Sequence, residues 1–464
     1  MPISATTVWE VRTAGNDTNG GGYSSGGTDW SQQDSPQYSV TDGVTNGSTT
    51  ITSATAAFGT DVVGNVMYVQ GGTGAVVAGW YQIISRTNAT TIVVDRSTGL
   101  TSGTGVTLRI GGALASPGQC CAVAVSENSV WLRSGTYLIT STTSNIAGGR
   151  VLLPSGVRLL GYGTTRADYT GTRPVLQASG IATTTLATFT NPCNGGVFRF
   201  LTLDGNSLTS IRGAANAGGS ANSCRVHDCR FVNCTNGGVD ITVAGNSVSN
   251  CYAENCSGNP AFNAPSVSNC IATANTNAGF GHNLSASGQV YTNCISYNNT
   301  TANGIGFHSN NGQDSYINCT AFGNASDGFK DNGGSANGCY FQNCVSYGNS
   351  GFGYNMVTST LGNLFLSCAA GSNTAGATPS STRYILIPAL IALTADPFVN
   401  TAGGNFALNN TAGGGAALRA VGMPGVFPAG LTTGYLDIGA AQHQDSGSGG
   451  GIMAGRNWTG GYNG

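Results

Sequence analysis

The sequence predicts an all-β protein whose main part is a parallel β-helix, a solenoid of short stacked strands. A short phrase recurs seven times between residues 225 and 375, at intervals of 19 to 25 residues, which is typical of solenoids. The copies contain almost no leucine, which excludes a leucine-rich repeat, whereas Asn and Gly recur at turn positions. Each copy begins with a cysteine: Cys229, Cys251, Cys270, Cys294, Cys319, Cys344 and Cys368.

Stacking would place equivalent side chains of successive coils in ladders about 4.8 Å apart. We expect the leading cysteines to form one inward ladder. A second inward line follows five residues later: Cys234, Cys256, Asn275, Asn299, Asn324, Asn349 and Asn373. A further apolar anchor, usually after a glycine, occurs in the first six copies: Val239, Phe262, Phe280, Phe307, Phe329 and Phe352.

An apolar stripe is predicted on the outside of the repeats. Side chains alternate along a strand, so positions one and three after each leading cysteine should point outward. Several of these are apolar: Ile271, Ile295, Tyr297, Phe322, Val345 and Tyr347. Because such a surface is unusual in water, either a loop covers it or these six residues form the subunit interface of a homotrimer.

The segments before the repeats differ in pattern. Residues 1–46 are rich in Gly, Asn, Ser and Gln, and they are expected to form an N-terminal arm or an attachment segment that orders on a partner. Residues 47–110 alternate apolar and polar positions between turn residues, which predicts four or five strands of a small β-sandwich or barrel.

The solenoid is expected to occupy residues 111–440, beginning with a short capping helix near Pro117. Residues 441–464 form a Gly-rich tail that, like the arm, is expected to dock on a neighbouring protein.

Composition excludes several classes of function. The net charge is -2, only 8% of residues are charged and Lys330 is the only lysine, so no basic face indicates nucleic-acid binding. No apolar run of 18 residues occurs, so no membrane span is expected. The first residues lack the pattern of a signal peptide, which predicts synthesis in the host cytoplasm without export.

The fourteen cysteines are interpreted as buried thiols. Their regular placement at one coil position favours small apolar filler over a disulfide framework, as does folding in a reducing compartment. Metal binding is disfavoured because the Cys-x4-Cys pairs lack a fixed second pair. We therefore expect no metal and no cofactor.

A polar stripe follows the apolar anchors and is the candidate glycan-binding site. Its predicted members are Asp240, His282, His308, Lys330, Asp331 and Tyr354. Hydrolysis of a glycosidic bond needs two carboxylates roughly 5 to 9.5 Å apart, and Asp327 and Asp331 share one turn. β-Elimination needs a base, for which Lys330 is the candidate. These three residues are weak catalytic candidates, and non-catalytic contact with a glycan or plain solvation of the turn stays open.

Two stretches carry a resemblance to known proteins. VWEVRTAGNDTNGGGY (8–23) followed by DWSQQDSPQY (29–38) resembles the N-terminal signature of β-helix proteins of tailed phages. SVWLRSGTYLI (129–139) and VRLLGYG (157–163) are similar to the first coils of the pectate-lyase-like superfamily, and ADPFVNTAGGNFALNN and GYLDIGAAQ to its closing coils. The resemblance implies a right-handed parallel β-helix and virion membership. The superfamily contains lyases, hydrolases, tailspikes and inert adhesins, so it implies no single chemistry.

The sequence is thus interpreted as a phage virion surface protein, tailspike-like or fibre-like, that adheres to host surface glycan. A capsid decoration protein of the same fold is the first alternative. A polysaccharide lyase or glycoside hydrolase is the second. The expected partners are two further copies of the chain, other virion proteins at both termini, and a host polysaccharide.

Overall fold

The computed structural model describes residues 3–99, 101–218, 221–281, 288–310, 313–332, 338–356, 362–379, 384–387, 389–423 and 436–442. The chain divides into two compact units, Met1–Arg230 and Phe231–Gly464. Within the described ranges, the helices are α1 (Pro117–Val123) and two 3-10 turns, η1 (Thr60–Val62) and η2 (Gly415–Ala417). No helix there is long and apolar enough to cross a membrane. The predicted all-β class is confirmed.

The strands of the first unit are β1 (Val8–Val11), β2 (Gly22–Tyr23), β3 (Tyr38–Asn46), β4 (Thr50–Thr52), β5 (Val66–Gly71), β6 (Gly79–Asn88), β7 (Thr91–Val94), β8 (Ser102–Ile110), β9 (Ser129–Arg133), β10 (Thr136–Ile139), β11 (Ser141–Ser144), β12 (Gly149–Leu153), β13 (Arg158–Tyr162), β14 (Val175–Ala178), β15 (Thr184–Phe189), β16 (Cys193–Asn194), β17 (Val197–Arg199), β18 (Thr202–Asp204), β19 (Ile211–Asn216), β20 (Ala221–Asn222) and β21 (Arg225–His227).

A closed barrel in the order β3-β4-β7-β6-β5-β8 occupies part of this unit. Its neighbouring strands are antiparallel, and its interior is filled by buried residues such as Ile51, Met67, Tyr81 and Ile92. The predicted small β domain is therefore a six-stranded barrel that begins at Tyr38, several residues earlier than expected.

The rest of the first unit is a parallel solenoid with three sheets. The first sheet contains β1-β9-β13-β17-β21, the second β10-β14-β18, and the third β11-β12-β15-β19. The segment expected to be an arm takes part in this fold, because β1 runs parallel to β9 with Val8 opposite Ser129. Trp9 is buried and donates its indole N–H to Asn128 Oδ1 at 3.0 Å. An attachment role for these residues stays a prediction.

A network of buried charges fixes the N-terminal segment within the first unit. Glu10 accepts from Arg12 at 2.9 Å and from Arg166 at 2.7 Å, and Arg166 also pairs with Asp29 at 2.9 Å. The Tyr162 hydroxyl donates to the same carboxylate. Both oxygens of Glu10 are therefore paired, as a fully buried carboxylate requires.

The predicted capping helix is present as α1, with Pro117 as its first residue. Proline is tolerated there because the first helical N–H has no partner within the helix. The helix packs closely on the neighbouring coil: a Cβ on Gly118 would lie 2.8 Å from the Ile146 carbonyl oxygen and 2.9 Å from that of Gly149.

The strands of the second unit are β22 (Arg230–Val232), which contains the unit boundary, β23 (Val239–Asp240), β24 (Ser247–Ser249), β25 (Tyr252–Glu254), β26 (Phe262–Asn263), β27 (Ser266–Ser268), β28 (Ile271–Thr273), β29 (Phe280–Gly281), β30 (Val290–Thr292), β31 (Ile295–Tyr297), β32 (Phe307–Ser309), β33 (Ser315–Ile317), β34 (Thr320–Phe322), β35 (Phe329–Asp331), β36 (Tyr340–Gln342), β37 (Val345–Tyr347), β38 (Tyr354–Asn355), β39 (Asn363–Leu366), β40 (Ala369–Gly371), β41 (Tyr384–Ile387), β42 (Ile391–Leu393), β43 (Phe398–Asn400) and β44 (Asn405–Leu408).

The second unit is also a parallel solenoid of three sheets, as predicted. Their orders are β24-β27-β30-β33-β36-β39-β41, β25-β28-β31-β34-β37-β40-β42 and β23-β26-β29-β32-β35-β38. Left-handed asparagines connect the first sheet to the second: Asn250, Asn269, Asn293, Asn318 and Asn343 have φ between 50° and 53°. Asn adopts this conformation more readily than most residues, so the predicted role of Asn in the turns is confirmed.

The predicted inward ladders of the second unit are confirmed. All of its leading cysteines are buried, and the asparagines of the second line are hydrogen-bonded to one another. Each side-chain amide donates to the next asparagine oxygen: 3.0 Å from Asn275 to Asn299, 2.8 Å to Asn324, 2.9 Å to Asn349 and 2.8 Å to Asn373. The ladder thereby pairs polar groups that would otherwise be costly in the core.

Two aromatic stacks fill the remaining interior of this unit. The first has ring centroids 4.7 to 5.2 Å apart and comprises Phe262, Phe280, Phe307, Phe329 and Tyr354. The second has spacings of 4.5 to 5.2 Å and comprises Tyr291, Tyr316, Phe341 and Phe365. The anchor of the sixth copy is thus Tyr354 and not Phe352, because Tyr354 pairs in register with Phe329.

Candidate functional site

Three members of the predicted polar stripe, Asp240, His308 and Lys330, lie on the outer face of the third sheet in the second unit. His308 stands opposite Lys330, and Lys330 stands opposite Asn355, so these side chains point the same way. Asp240 occupies the same strand position opposite Asn263, whose amide donates to the Asp240 carboxylate at 3.0 Å. Asp240, His308 and Lys330 are half-buried. His282, also assigned to the stripe, lies outside the described residues.

Two predicted members of the stripe point into the core instead. Asp331 is 2% exposed and Tyr354 is fully buried. The Tyr354 hydroxyl donates to the carbonyl oxygens of Cys344 at 2.9 Å and Ala369 at 3.2 Å. Since neighbouring residues of a strand face opposite ways, Asp331 cannot share the face of Lys330. Asp331 and Tyr354 therefore do not lie on the outer face with Lys330, contrary to the predicted arrangement of the stripe.

The weak catalytic candidates do not form an open carboxylate pair. Asp327 is 6% exposed and accepts the backbone N–H of Phe352 at 2.8 Å and the amide of Asn355 at 2.9 Å. Its carboxylate therefore holds a turn, while Asp331 faces the interior. Lys330 alone of the three candidates reaches the outer face. Among the described residues, no group of three or more His, Cys, Asp or Glu side chains is arranged to hold a metal ion.

The apolar stripe is covered by the C-terminal part of the same chain. The hairpin of β43 and β44 places Phe406 over Tyr297, with ring centroids 4.9 Å apart, and Phe398 over Phe322, at 5.8 Å. The same cluster contains Ile295, Val345 and Tyr347. Of the two predicted alternatives, a covering loop and a subunit interface, the structure therefore shows a covering segment over these residues. Ile271 is half-buried on the neighbouring strand. A subunit contact on this face stays a prediction.

A different surface, on the first sheet of the first unit, combines arginines with aromatic rings. The guanidinium of Arg199 lies 3.6 Å above the ring of Tyr169, and that of Arg173 lies 4.6 Å above Phe200. Tyr169 is 6.0 Å from Trp131 and 6.1 Å from Phe200, measured between ring centroids. We call these residues, with His227 and Asp228, the arginine–aromatic surface.

A single carboxylate orders the cations of this surface. Asp228 accepts from Arg199 Nε at 3.3 Å and from His227 Nε2 at 3.1 Å, and its backbone oxygen accepts from Arg173 at 3.2 Å. Burial acts to raise the pKa of Asp228, but the hydrogen bond from His227 and the charge of Arg199 outweigh it and leave the pKa below its ordinary value. Asp228 thus stays ionised and holds the Arg199 guanidinium and the His227 ring in place.

Strand register extends the positive charge along this face. Arg199 stands opposite His227, and Val197 opposite Arg225 and Arg158 on its two neighbouring strands. Arg158 and Arg225 are exposed, and the Arg199 side chain is 34% exposed. Asp228 is the one carboxylate in these ion pairs, so the surface carries a net positive charge.

The backbone at this surface is strained. Tyr169, Phe200 and Asp228 all adopt left-handed conformations, with φ of 43°, 56° and 53°. For a bulky residue this costs roughly 1–2 kcal/mol. Phe200 and Asp228 occupy the turn between the first and second sheets, where the second unit uses Asn. Strain at a bulky residue often marks a functional site.

The comparisons with known proteins find similarity to solved structures. No protein-family model matches the chain, and no curated protein matches it. Among solved structures, pectate lyase Pel9A is 16% identical with a TM-score of 0.47, and covers 72% of this chain and 92% of its own. The Azotobacter vinelandii mannuronan C-5 epimerase AlgE4 A-module is 17% identical with a TM-score of 0.43, covering 64% and 80%. The catalytic domain of a GH87 alpha-1,3-glucanase is 11% identical with a TM-score of 0.32, covering 77% and 90%. At these scores the similarity supports no conclusion about chemistry.

Sequence reasoning missed the arginine–aromatic surface, although one signal was present. The residue before the leading cysteine is Asn in five copies, whereas Asp228 stands there in the first copy, preceded by His227. This departure from the repeat could have drawn attention to the turn, although Ser367 in the seventh copy departs from the repeat as well. The stacking of Arg199 on Tyr169 had no such signal, because Tyr169 belongs to a long connection before the repeats begin.

Proposed function

We propose that this protein binds an acidic polysaccharide on the arginine–aromatic surface and serves as an adhesion protein. The supporting observation is that two guanidinium groups are stacked on rings and tied by Asp228, so their planes are held in place. A preorganised guanidinium can still donate paired N–H bonds to a carboxylate, such as that of a uronic acid. The neighbouring Trp131 offers a ring for packing against a sugar.

Within this proposal the chain is a tailspike-like or fibre-like protein of a phage virion surface. The support is the resemblance of residues 8–38 to N-terminal segments of phage β-helix proteins. A capsid decoration protein of the same fold remains the alternative. Imaging virus particles that carry a label on this protein would show whether it lies on the tail or on the capsid.

The test of glycan binding compares acidic and neutral polysaccharides by affinity electrophoresis. We expect retardation by polygalacturonate or alginate and none by dextran. Arg199→Gln should weaken binding about tenfold or more, because a hydrogen bond between charged groups contributes roughly 1.5–3 kcal/mol. Trp131→Ala should weaken it as well.

Two variants serve as controls. Arg212→Gln alters an arginine on the third sheet of the same unit and should leave binding unchanged. Lys330→Ala tests the polar stripe of the second unit. Equal binding of acidic and neutral polymers would contradict the proposal. Loss of binding in Lys330→Ala but not in Arg199→Gln would move the site to the polar stripe.

A polysaccharide lyase is the second candidate, favoured by the pairing of His227 with Asp228 beside Arg199. β-Elimination requires a base for the proton next to the uronate carboxylate and a cation that neutralises this carboxylate. His227 and Arg199 are residues of the right types. A rise in ultraviolet absorbance from unsaturated oligosaccharides, lost in the His227→Gln variant, would establish this activity. If the protein binds the polymer and no such absorbance appears, adhesion is favoured.

A further inference from the structure

Two cysteines outside the repeat ladder lie in contact within the first unit. The Cys224 thiol donates to Cys193 Sγ, with the two sulfur atoms 3.4 Å apart. They belong to neighbouring coils, where β16 and β20 pair in parallel with Cys193 opposite Ala221. Both side chains are buried, but exposed residues flank them in sequence: Asn191, Pro192, Asn194, Asn222 and Ser223. The pair therefore lies close beneath the surface.

The surroundings of Cys193 favour its thiolate form. The hydrogen bond from Cys224 is the largest effect and, against burial, lowers the pKa of Cys193 to about 7, with help from the Gly196 amide and the Thr190 hydroxyl. In the ladder, burial raises the pKa of Cys270. Burial acts in the same direction on Cys319, where hydrogen bonds from Cys294 and Cys344 outweigh it and lower the pKa, but this thiol is more deeply buried than Cys193. Gly196 leaves room for the sulfur, since a Cβ there would lie 2.8 Å from it. Thiolate character near neutral pH makes a cysteine reactive.

We propose that Cys193 and Cys224 are a redox modification site that closes to a disulfide when the protein meets a peroxide. A disulfide bond is about 2.05 Å long, so the sulfur atoms need to approach by only about 1.3 Å. The bond would join positions 31 residues apart and tie two neighbouring coils together. This inference is independent of glycan binding.

The chemistry balances with hydrogen peroxide as the oxidant. The Cys193 thiolate attacks one peroxide oxygen and breaks the O–O bond, which gives a sulfenic acid and hydroxide. The Cys224 sulfur then attacks the sulfenic sulfur and displaces its oxygen, which leaves as water after taking up the thiol proton. Two thiols and one peroxide become one disulfide and two waters, with two electrons passing from sulfur to oxygen. A dithiol reductant reverses the change.

The test treats the full chain with increasing hydrogen peroxide, followed by alkylation under denaturing conditions and peptide mass mapping. We expect a Cys193–Cys224 cross-linked peptide at peroxide concentrations that leave Cys270 and Cys294 as thiols. Cys193→Ser and Cys224→Ser should each abolish the cross-link, whereas the control Cys270→Ser should retain it. Sulfinic acid at Cys193 without a cross-link, or earlier oxidation of the ladder cysteines, would overturn the proposal.

A second measurement examines the role of Cys224 without oxidation. The rate at which a small alkylating reagent modifies Cys193 should rise with pH around a midpoint near 7. In Cys224→Ala the thiolate loses its donor, so the midpoint should move up and the rate at neutral pH should fall roughly tenfold. An unchanged midpoint would show that Cys224 does not activate Cys193 and would contradict the proposal.

Discussion

At the scale of single residues, the asparagine ladder shows how a narrow solenoid accommodates amides in its core. From Asn299 onward, each Oδ1 accepts from both the side-chain amide and the backbone N–H of the preceding asparagine, as Asn299 does from Asn275 at 3.0 and 3.1 Å. Each amide in turn donates onward. Because every coil depends on its neighbour for a partner, removal of one asparagine affects two coils.

Asn299→Ala is expected to destabilise the protein by roughly 2–5 kcal/mol, since an unsatisfied buried group costs roughly 1–3 kcal/mol. The change leaves the two donors of Asn275 without an acceptor and removes the bonds to Ser296 and Asn324. Denaturant unfolding measures the loss. Asn303→Ala, at an exposed turn, is the matched control. Equal stability of the two variants would contradict this account of the ladder.

Two members of the predicted polar stripe, Asp331 and Tyr354, are buried in the core and not on the outer face. Cysteine and asparagine positions could be predicted because the repeat fixes them. The orientation of Asp331 and Tyr354 could not be predicted, because each is adjacent in its strand to a residue that faces outward. Side chains alternate between the two faces, so an error of one position assigns a residue to the wrong face. The intervals between successive anchors vary from 18 to 27 residues, so spacing alone does not show that the sixth anchor is Tyr354 and not Phe352.

At the scale of elements, the β43–β44 hairpin acts as a cover for the second sheet of the second unit. Phe398 and Phe406 are buried against Tyr297 and Phe322, and their centroids lie 5.1 Å apart. A pair of backbone and side-chain bonds between Asn343 and Met423 holds the chain beyond the hairpin. The cover joins segments about a hundred residues apart, so local patterns could predict an apolar face but not what covers it.

Phe406→Ala should loosen this cover. Truncating a buried phenylalanine typically costs about 3–5 kcal/mol. We expect faster cleavage of the hairpin in limited proteolysis and a lower free energy of unfolding. Val399→Ala, in the same hairpin but 56% exposed, should behave like the unmodified protein. If Phe406→Ala resists proteolysis as well as Val399→Ala does, the hairpin does not depend on this contact.

At the scale of the whole molecule, the fold class and the barrel followed from repeat period and alternation, whereas the incorporation of β1 did not. A four-residue strand in a polar segment has no pattern of its own, and it is defined by pairing with β9 far along the chain. The oligomeric state likewise depends on which apolar residues remain exposed on the surface. Because the hairpin covers the apolar stripe, contact between copies would use other exposed apolar residues. Val421 and Met423, which follow the hairpin in the chain, are the candidates.

We expect light scattering to give about three times 46.7 kDa, the mass of a homotrimer, for the soluble protein. Val421→Asp should reduce this mass if the segment that follows the hairpin forms the contact, because a buried unpaired charge is unfavourable at an interface. Arg212→Gln serves as an assembly control. A mass near 46.7 kDa for the unmodified chain would exclude the homotrimer.

The asparagine ladder also bears on how such a chain can change length over evolution. Within the asparagine ladder, each coil presents the same donor to one neighbour and the same acceptor to the other, so a coil inserted or lost as a whole leaves matched ends behind. Successive asparagines of the ladder lie 24 or 25 residues apart, so the connections change in length by a single residue while the ladder persists. Duplication of one coil would therefore lengthen the molecule without a new folding problem, and surface residues could then diverge on a constant interior.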